Sequence, residues 1–318
     1  LEIVRHIKDR EGGLRKAILT LGNFDGIHRG HQALLRRVVD EARGFGARSA
    51  VLTFEPHPLK VLRPREAPRL LLPLRDKLEI LAALEIDVVL VQRFDSTFAN
   101  MEARDFVGHY LGEALNVRKL WIGKDLRFGK ARAGKVEDMI RWGAEAGFAV
   151  DVFEPVEEGG TRISSSRVRS LVEQGEVEGA ASFLGRYHFL GGRVVPGRRR
   201  GRQLGFPTAN IATRAEVLPY DGIYASFLEI DGRPYPSVTS VGRNPTFGEG
   251  PRTIETYVLD YSGNLYQRRV KLFFVKRIRS EEKFSSPDLL VSQINQDVSD
   301  ARQILKRAAP PSCRPVPD

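Results

Sequence analysis

The chain has 318 residues, 42% of them hydrophobic and 28% charged, the composition of an ordinary globular protein long enough for two separate cores. No apolar run approaches the roughly 18–20 residues that cross a bilayer, and the opening Leu1-Glu2-Ile3-Val4-Arg5-His6 lacks the apolar core of a secretory signal. The single cysteine, Cys313, excludes an intramolecular disulfide or a cysteine-based metal site, so a cytoplasmic address is expected, while a net charge of +10 suits a nucleic acid and a polyanionic substrate such as ATP equally well.

In the first half, apolar runs at residues 16–21, 49–54, 87–92, 118–122 and 149–153 predict strands. Helical spacing at 31–45, 74–84, 102–115 and 136–146 falls between them. That alternation predicts an α/β fold with a parallel sheet and helices on both faces, where ligands bind at the carboxyl ends of the strands near a switch point. The turn after the first strand, Gly22-Asn23-Phe24-Asp25-Gly26-Ile27-His28-Arg29-Gly30-His31, falls there. It sets two histidines three residues apart at the positive end of a helix dipole, the natural seat of a phosphate. It is not the P-loop, whose nearest match (residues 123–131) has one residue too many and ends in Ala131; a dinucleotide fingerprint and a His-Glu-x-x-His zinc motif are missing too. The pair instead resembles the His-x-Gly-His signature of the nucleotidyltransferase superfamily.

Three further segments fit one site. Thr53-Phe54-Glu55-Pro56-His57-Pro58 follows a strand and either lines the same edge or only shapes a loop. Gly123-Lys124-Asp125-Leu126-Arg127-Phe128-Gly129 offers a carboxylate beside two cations. Ile163-Ser164-Ser165-Ser166-Arg167-Val168-Arg169 combines helix-capping serines with two arginines, a combination suited to a polyphosphate clamp.

Beyond it a helix is expected over 168–184, then strands at 187–195, 222–230, 235–241, 254–260 and 265–275, which suggests a compact antiparallel barrel. Ser286-Pro287 opens a last helix carrying Leu290, Ile294, Val298 and Ala301, and residues 307–318 are expected to be a disordered tail. Between the first two of these strands lies Gly197-Arg198-Arg199-Arg200-Gly201-Arg202-Gln203-Leu204-Gly205-Phe206-Pro207-Thr208-Ala209-Asn210, whose glycines let backbone amides approach a phosphate. Thr208 and Asn210 supply hard oxygen donors of the kind magnesium takes beside water and phosphates. Glu255, in an otherwise apolar strand, either faces solvent or accepts a proton from a substrate hydroxyl at the barrel mouth.

Taken in order, these motifs together with Ser240-Val241-Gly242-Arg243-Asn244-Pro245-Thr246-Phe247 resemble the prokaryotic bifunctional riboflavin kinase/FAD synthetase family over residues 15–306. The resemblance implies a Rossmann-like FMN adenylyltransferase domain over residues 1–184 and an antiparallel β-barrel riboflavin kinase domain, closed by a helix, over 185–306. It implies riboflavin, FMN and ATP as substrates, Mg2+ as cofactor, FMN and FAD as products, and no nucleic-acid or membrane partner for a monomer or weak oligomer. Carried onto this sequence, His28 and His31 become the catalytic contacts of adenylyl transfer, with Gly22, Asn23, Phe24, Asp25, Gly26, Asp125, Ser164, Ser165, Arg167 and Arg169 around the nucleotide. In the kinase half, Gly197, Gly201, Arg202, Gly205, Pro207, Thr208 and Asn210 hold nucleotide, Thr208 and Asn210 hold the metal, and Glu255 is the base. Leu126 departs from the family's usual phenylalanine. Two rival readings are an RNA-binding protein on a synthetase-like domain, against which stands the lack of a Lys-Met-Ser-Lys-Ser-like loop, and a chain with only one active half.

Overall fold

A computed structural model describes residues 1–5, 14, 16–197, 200–243 and 252–312, with the backbone alone at Arg200 and Arg202. The chain forms two compact units, Leu1–Arg69 with Leu74–Ser164, and Leu70–Pro73 with the chain from Ser165 onward.

The first unit runs β1 (Glu2–Val4), β2 (Ile18–Leu21), α1 (Arg29–Gly44), β3 (Ser49–Glu55), α2 (Pro58–Leu62), α3 (Leu74–Ala83), β4 (Val88–Arg93), α4 (Ser96–Ala99) and α5 (Ala103–Asp105). A π-helical stretch, Phe106–Ala114, leads to β5 (Lys119–Gly123), α6 (Val136–Glu145), β6 (Ala149–Phe153) and the small hairpin β7 (Glu157–Glu158) and β8 (Thr161–Arg162). The six-stranded sheet has the order β1-β4-β3-β2-β5-β6, parallel at every pair. Its central strands are near-continuous apolar runs because helices cover both faces: all four residues of β2 and the first five of β3 are buried. From α1, Leu34, Leu35, Val38, Val39 and Ala42 are buried, each large side chain worth roughly 1.5–3 kcal/mol. The chain steps from β2 to β3 to β4 on one side and returns to place β5 on the other side of β2. The switch point therefore lies at the carboxyl end of β2, where the glycine-histidine turn begins.

The second unit contains α7 (Ser165–Glu173), α8 (Val177–Leu184), β9 (His188–Val195), α9 (Arg200–Gln203), β10 (Thr208–Thr213), β11 (Gly222–Ile230), β12 (Arg233–Gly242), β13 (Thr253–Val258), β14 (Arg269–Arg279) and α10 (Pro287–Arg307). Strands β10-β13-β12-β11-β14-β9 close an antiparallel barrel. Leu190, Ala209, Tyr224, Leu228, Val241, Ile254 and Phe274 belong to its apolar core. A buried hydroxyl chain is satisfied internally, Ser226 to Ser237 at 2.9 Å and to Thr239 at 2.8 Å, and Thr239 to Thr256 at 2.9 Å. Helix α10 starts as expected, with Ser286 capping Leu289 N and Pro287 in the first turn. It is tied to the barrel by Arg279, whose guanidinium grips buried Asp297 through two bonds of 2.7 Å.

Several expectations need correction. The helix predicted over 168–184 is two, because Gly175 takes φ +82° between α7 and α8. The stretch 102–115 is α-helical only to Asp105 and π-helical after it; apolar spacing tolerates both, and the π turn stacks Phe106 on Tyr110 at 5.5 Å. Strand 265–275 starts later, at Arg269, after Gln267 at φ +64°. Strands β1, β7 and β8 were not expected, since two or three residues carry no period. The Gly-Phe-Pro-Thr-Ala-Asn segment is a loop only to Pro207; Thr208 and Asn210 lie on β10. Arg198, Arg199, 244–247 and the end of the tail from Cys313 lie outside the described residues.

Candidate active sites

The turn after β2 is held in a conformation that its residues do not choose alone. Phe24 and Ile27 have φ of +47° and +39°, and Gly26 has +79°. For a β-branched residue such as Ile27 that region is a genuine outlier, of the kind found at functional sites. His28 caps α1, its Nδ1 accepting from His31 N at 3.3 Å. The two imidazoles stack 3.7 Å apart at 15°, and Phe24 meets His31 edge-on at 5.2 Å. Gly30 permits this stack, since a Cβ there would lie 3.3 Å from Nδ1 of His28. His28 is buried and His31 partly so, and Nδ1 of His31 is enclosed without a hydrogen-bond partner among the described residues. Burial, then His28, then Lys77 push His31 well below the ordinary histidine range, so its ring is neutral at pH 7. A neutral imidazole at a helix N-terminus can donate its ring N–H to an anionic oxygen beside the exposed backbone amides.

The segment after β3 joins this edge. His57 Nδ1 accepts from Leu59 N at 3.2 Å, and its Nε2 lies 3.0 Å from the Asn23 side-chain amide nitrogen. His57 thus does both things expected of the Thr53–Pro58 stretch, capping α2 within its loop and touching the turn at Asn23. Arg29, first in α1, pairs with Glu158 of the β7–β8 hairpin at 3.0 Å. Asp125, past the end of β5, is exposed and paired with Arg162 rather than with the neighbouring Lys124, which reaches Glu154 at 3.0 Å. Ser165, Arg167 and Arg169 start α7 and belong to the second unit, whereas Ser164 ends the first.

Two features of this edge escaped the sequence reading. Lys77 of α3 is buried and donates to Asn23 O at 2.7 Å. Its signal was a lysine in the apolar stripe with Ile80, Leu81 and Leu84. The other is a set of partly buried aromatics, Phe54 at the end of β3 with Phe94 and Phe98, in mutual ring contact at 5.7–5.9 Å.

The second site is built on the barrel's outer wall. Ile254, Thr256 and Val258 of β13 are buried inward, so Glu255 and Tyr257 face the other way. There a cavity of some 890 Å³, counting its open mouth, is lined by Thr208, Val238, Ser240, Glu255, Tyr257 and Arg279 from the barrel and by Leu290, Ile294 and Asp297 of α10. Glu255 therefore addresses a side cavity under α10, not the barrel mouth. Asn210 stands opposite Glu255 in the β10–β13 register, and Thr208 donates to Glu255 Oε2 at 3.3 Å.

The glycine-rich segment closes on these residues. A Cβ on Gly197 would lie 2.1 Å from Asn210 Nδ2, and one on Gly201 would lie 2.3 Å from Phe206 O. Gly201 O accepts from Leu204 N and Phe206 N, Gly205 takes φ +88°, and Phe206 meets Tyr257 edge-on at 5.5 Å. Pro207 carries the chain into β10, and the Arg202 side chain lies outside the described residues. Gly197→Ala is expected to displace Asn210 and lower turnover at this site by about 10²-fold, the penalty of roughly 1 Å of misplacement. Reactions at the histidine turn should be unchanged, and initial rates of the two in one preparation check both.

A histidine turn at a helix N-terminus beside the switch point of a parallel sheet, and a separate barrel cavity joining a carboxylate to hard oxygen donors, are the candidate sites of a transferase. A model of FAD synthetase matches residues 11–167 and one of riboflavin kinase matches residues 184–305. The bifunctional riboflavin kinase/FMN adenylyltransferase of Escherichia coli K12 is 39% identical over 92% of this chain and 94% of its own. That of Pseudomonas fluorescens is 36% identical over 97% and 99%. A crystal structure described as a macrolide-efflux protein from Streptococcus pneumoniae shares the fold at a TM-score of 0.84, with 31% identity over 94% of this chain and 98% of that one. The chain belongs to the bifunctional riboflavin kinase/FMN adenylyltransferase family and makes FMN and FAD. Among the described residues no helix is long and apolar enough to cross a membrane.

Proposed function

We propose that FMN is adenylylated at the His28/His31 turn of residues 1–184 and that riboflavin is phosphorylated at the Glu255 cavity of residues 185–306, each with ATP. One observation carries the assignment: Glu255 lines an open cavity beside Thr208, whereas the histidine turn presents neutral or cationic nitrogen groups. An attacking alcohol must lose a proton and profits from a base. An attacking phosphate is already an anion and needs only charge stabilisation. In the kinase, the riboflavin 5′-hydroxyl donates its proton to Glu255 while the bond to the γ-phosphoryl forms and ADP leaves. In the synthetase, an oxygen of FMN attacks the α-phosphorus of ATP and pyrophosphate leaves, with His28 and His31 bonding the phosphate oxygens. Ser164 and Asp125 are proposed as further nucleotide contacts, and Ser165, Arg167 and Arg169 of α7 as nucleotide contacts on the family resemblance alone.

Thr208 and Asn210 fit magnesium. Both offer neutral oxygens, the absence of a side chain at Gly197 leaves room for Asn210, and these two oxygens would hold the ion beside water and phosphates. No cluster of three or more His, Cys, Asp or Glu suited to a metal occurs among the described residues, so an all-protein cage is not on offer. Mg2+ held by Thr208 and Asn210 would supply charge neutralisation for the transferring phosphoryl group. A cytoplasmic setting and a monomer or weak oligomer complete the proposal.

The flavin ring of FMN is assigned to Phe54, Phe94 and Phe98 at the carboxyl edge of the first sheet, where stacking needs flat apolar walls. Fluorescence titration with FMN should show two sites per chain, substrate in one unit and product in the other. Phe98→Ala should weaken one of them by about tenfold, given roughly 0.5–1.5 kcal/mol for an aromatic pair beyond its buried area. A single site, or two sites both untouched by Phe98→Ala, would count against the assignment.

A further inference from the structure

Lys77 is on the wrong side of its helix for a solvated charge. Helix α3 buries it with Asp76, Ile80 and Leu81, leaving 6% of it exposed. An ammonium removed from water is unfavourable unless partners surround it. Here Nζ donates to Asn23 O at 2.7 Å, and the carboxylates of Asp25 and Glu55 favour its charged form against burial, which pulls it below the ordinary lysine range. These partners come from the phosphate-binding turn and from the end of β3, the two segments that frame the histidines. The carbonyl it holds lies immediately before Phe24, the first residue of the turn at positive φ. Thr53 Oγ1 approaches the same carbonyl at 3.5 Å, too long to replace the ammonium.

We propose that Lys77 is a positioning residue of adenylyl transfer: its ammonium ties the Asn23 carbonyl to α3, holds the 22–28 turn in the shape that presents His28 and His31, and sets a fixed positive charge behind the polyphosphate. This inference rests on the reading of the turn as the adenylyl-transfer site. The charge behind the turn also helps to keep the His31 ring neutral, together with burial and His28. A preorganised charge of this kind acts on the transition state without having to reorganise.

The test compares Lys77→Met, which keeps the apolar stem and removes charge and donor, with Lys77→Arg, which keeps both. In the full-length enzyme supplied with FMN, ATP and Mg2+, Lys77→Met is expected to lower kcat of FAD formation about 10²-fold with the KM for FMN within about twofold of the parent. Lys77→Arg should keep a tenth or more of the parent kcat. FAD formation by Lys77→Met within about twofold of the parent overturns the proposal. So does an equal loss in both variants accompanied by a lower melting temperature, which would make Lys77 a packing residue only. If alanines at His28 and His31 leave FAD formation intact, the reading of the turn fails; if they abolish it and Lys77→Met does not, only this inference fails.

Discussion

Alanine at both His28 and His31 is expected to stop FAD formation while riboflavin phosphorylation continues, so that FMN accumulates. The imidazoles stack at 3.7 Å on the first turn of α1 and act as one unit, so their effects should not add. Each well-placed group that stabilises developing charge is worth roughly 10²–10³ in turnover, and the double variant should lose about 10³-fold or more. Because His28 Nδ1 also caps α1, its loss weakens the helix start by about 1 kcal/mol. His28→Asn with His31→Ala separates the two effects, since asparagine caps as well and lacks the imidazole. Chromatography of flavin products over time checks this. Equal loss of both activities would mean that the turn supports the whole chain rather than one reaction.

Glu255→Gln is expected to lower riboflavin phosphorylation by roughly 10²–10⁴, the usual contribution of a general base, with FAD formation from supplied FMN unchanged. The substitution is close to isosteric, and the amide oxygen still accepts from the Thr208 hydroxyl, now 3.3 Å from Oε2. The cavity, the α10 contacts and the Arg279–Asp297 grip are untouched, so the KM for riboflavin should stay near that of the parent. Kinase turnover within a few-fold of the parent would remove Glu255 from the proton path and leave Asn210 and Thr208 as positioning groups alone.

The parallel sheet was legible because β2 to β5 are largely buried apolar runs, with the half-buried β6 at the edge, separated by amphipathic helices, and the histidine turn because glycines and histidines crowd into ten residues after the first of them. The barrel was legible in part. Residues 222–230 came out to the residue, yet β10 was hidden behind Gly-Phe-Pro, which reads as a loop although the strand begins at the next residue. The facing of Glu255 was closed to the sequence, because alternation in 254–258 names two faces without saying which is covered; α10 decides it. The break at Gly175 was hidden because apolar residues keep a helical spacing on both sides. Lys77 was hidden within the predicted helix 74–84, since its partner is a main-chain carbonyl from 54 residues earlier, a contact that no spacing rule reports.

The most direct test of two independent sites in one chain mixes the two variants. The His28/His31 double alanine variant makes FMN and stops; Glu255→Gln starts only from FMN. Incubated together with riboflavin, ATP and Mg2+, they should yield FAD at a rate approaching the parent's, while either alone yields almost none. No FAD from the mixture, with each variant still performing its own step when assayed separately, would contradict the account, because FMN made at one site would then not be usable at the other.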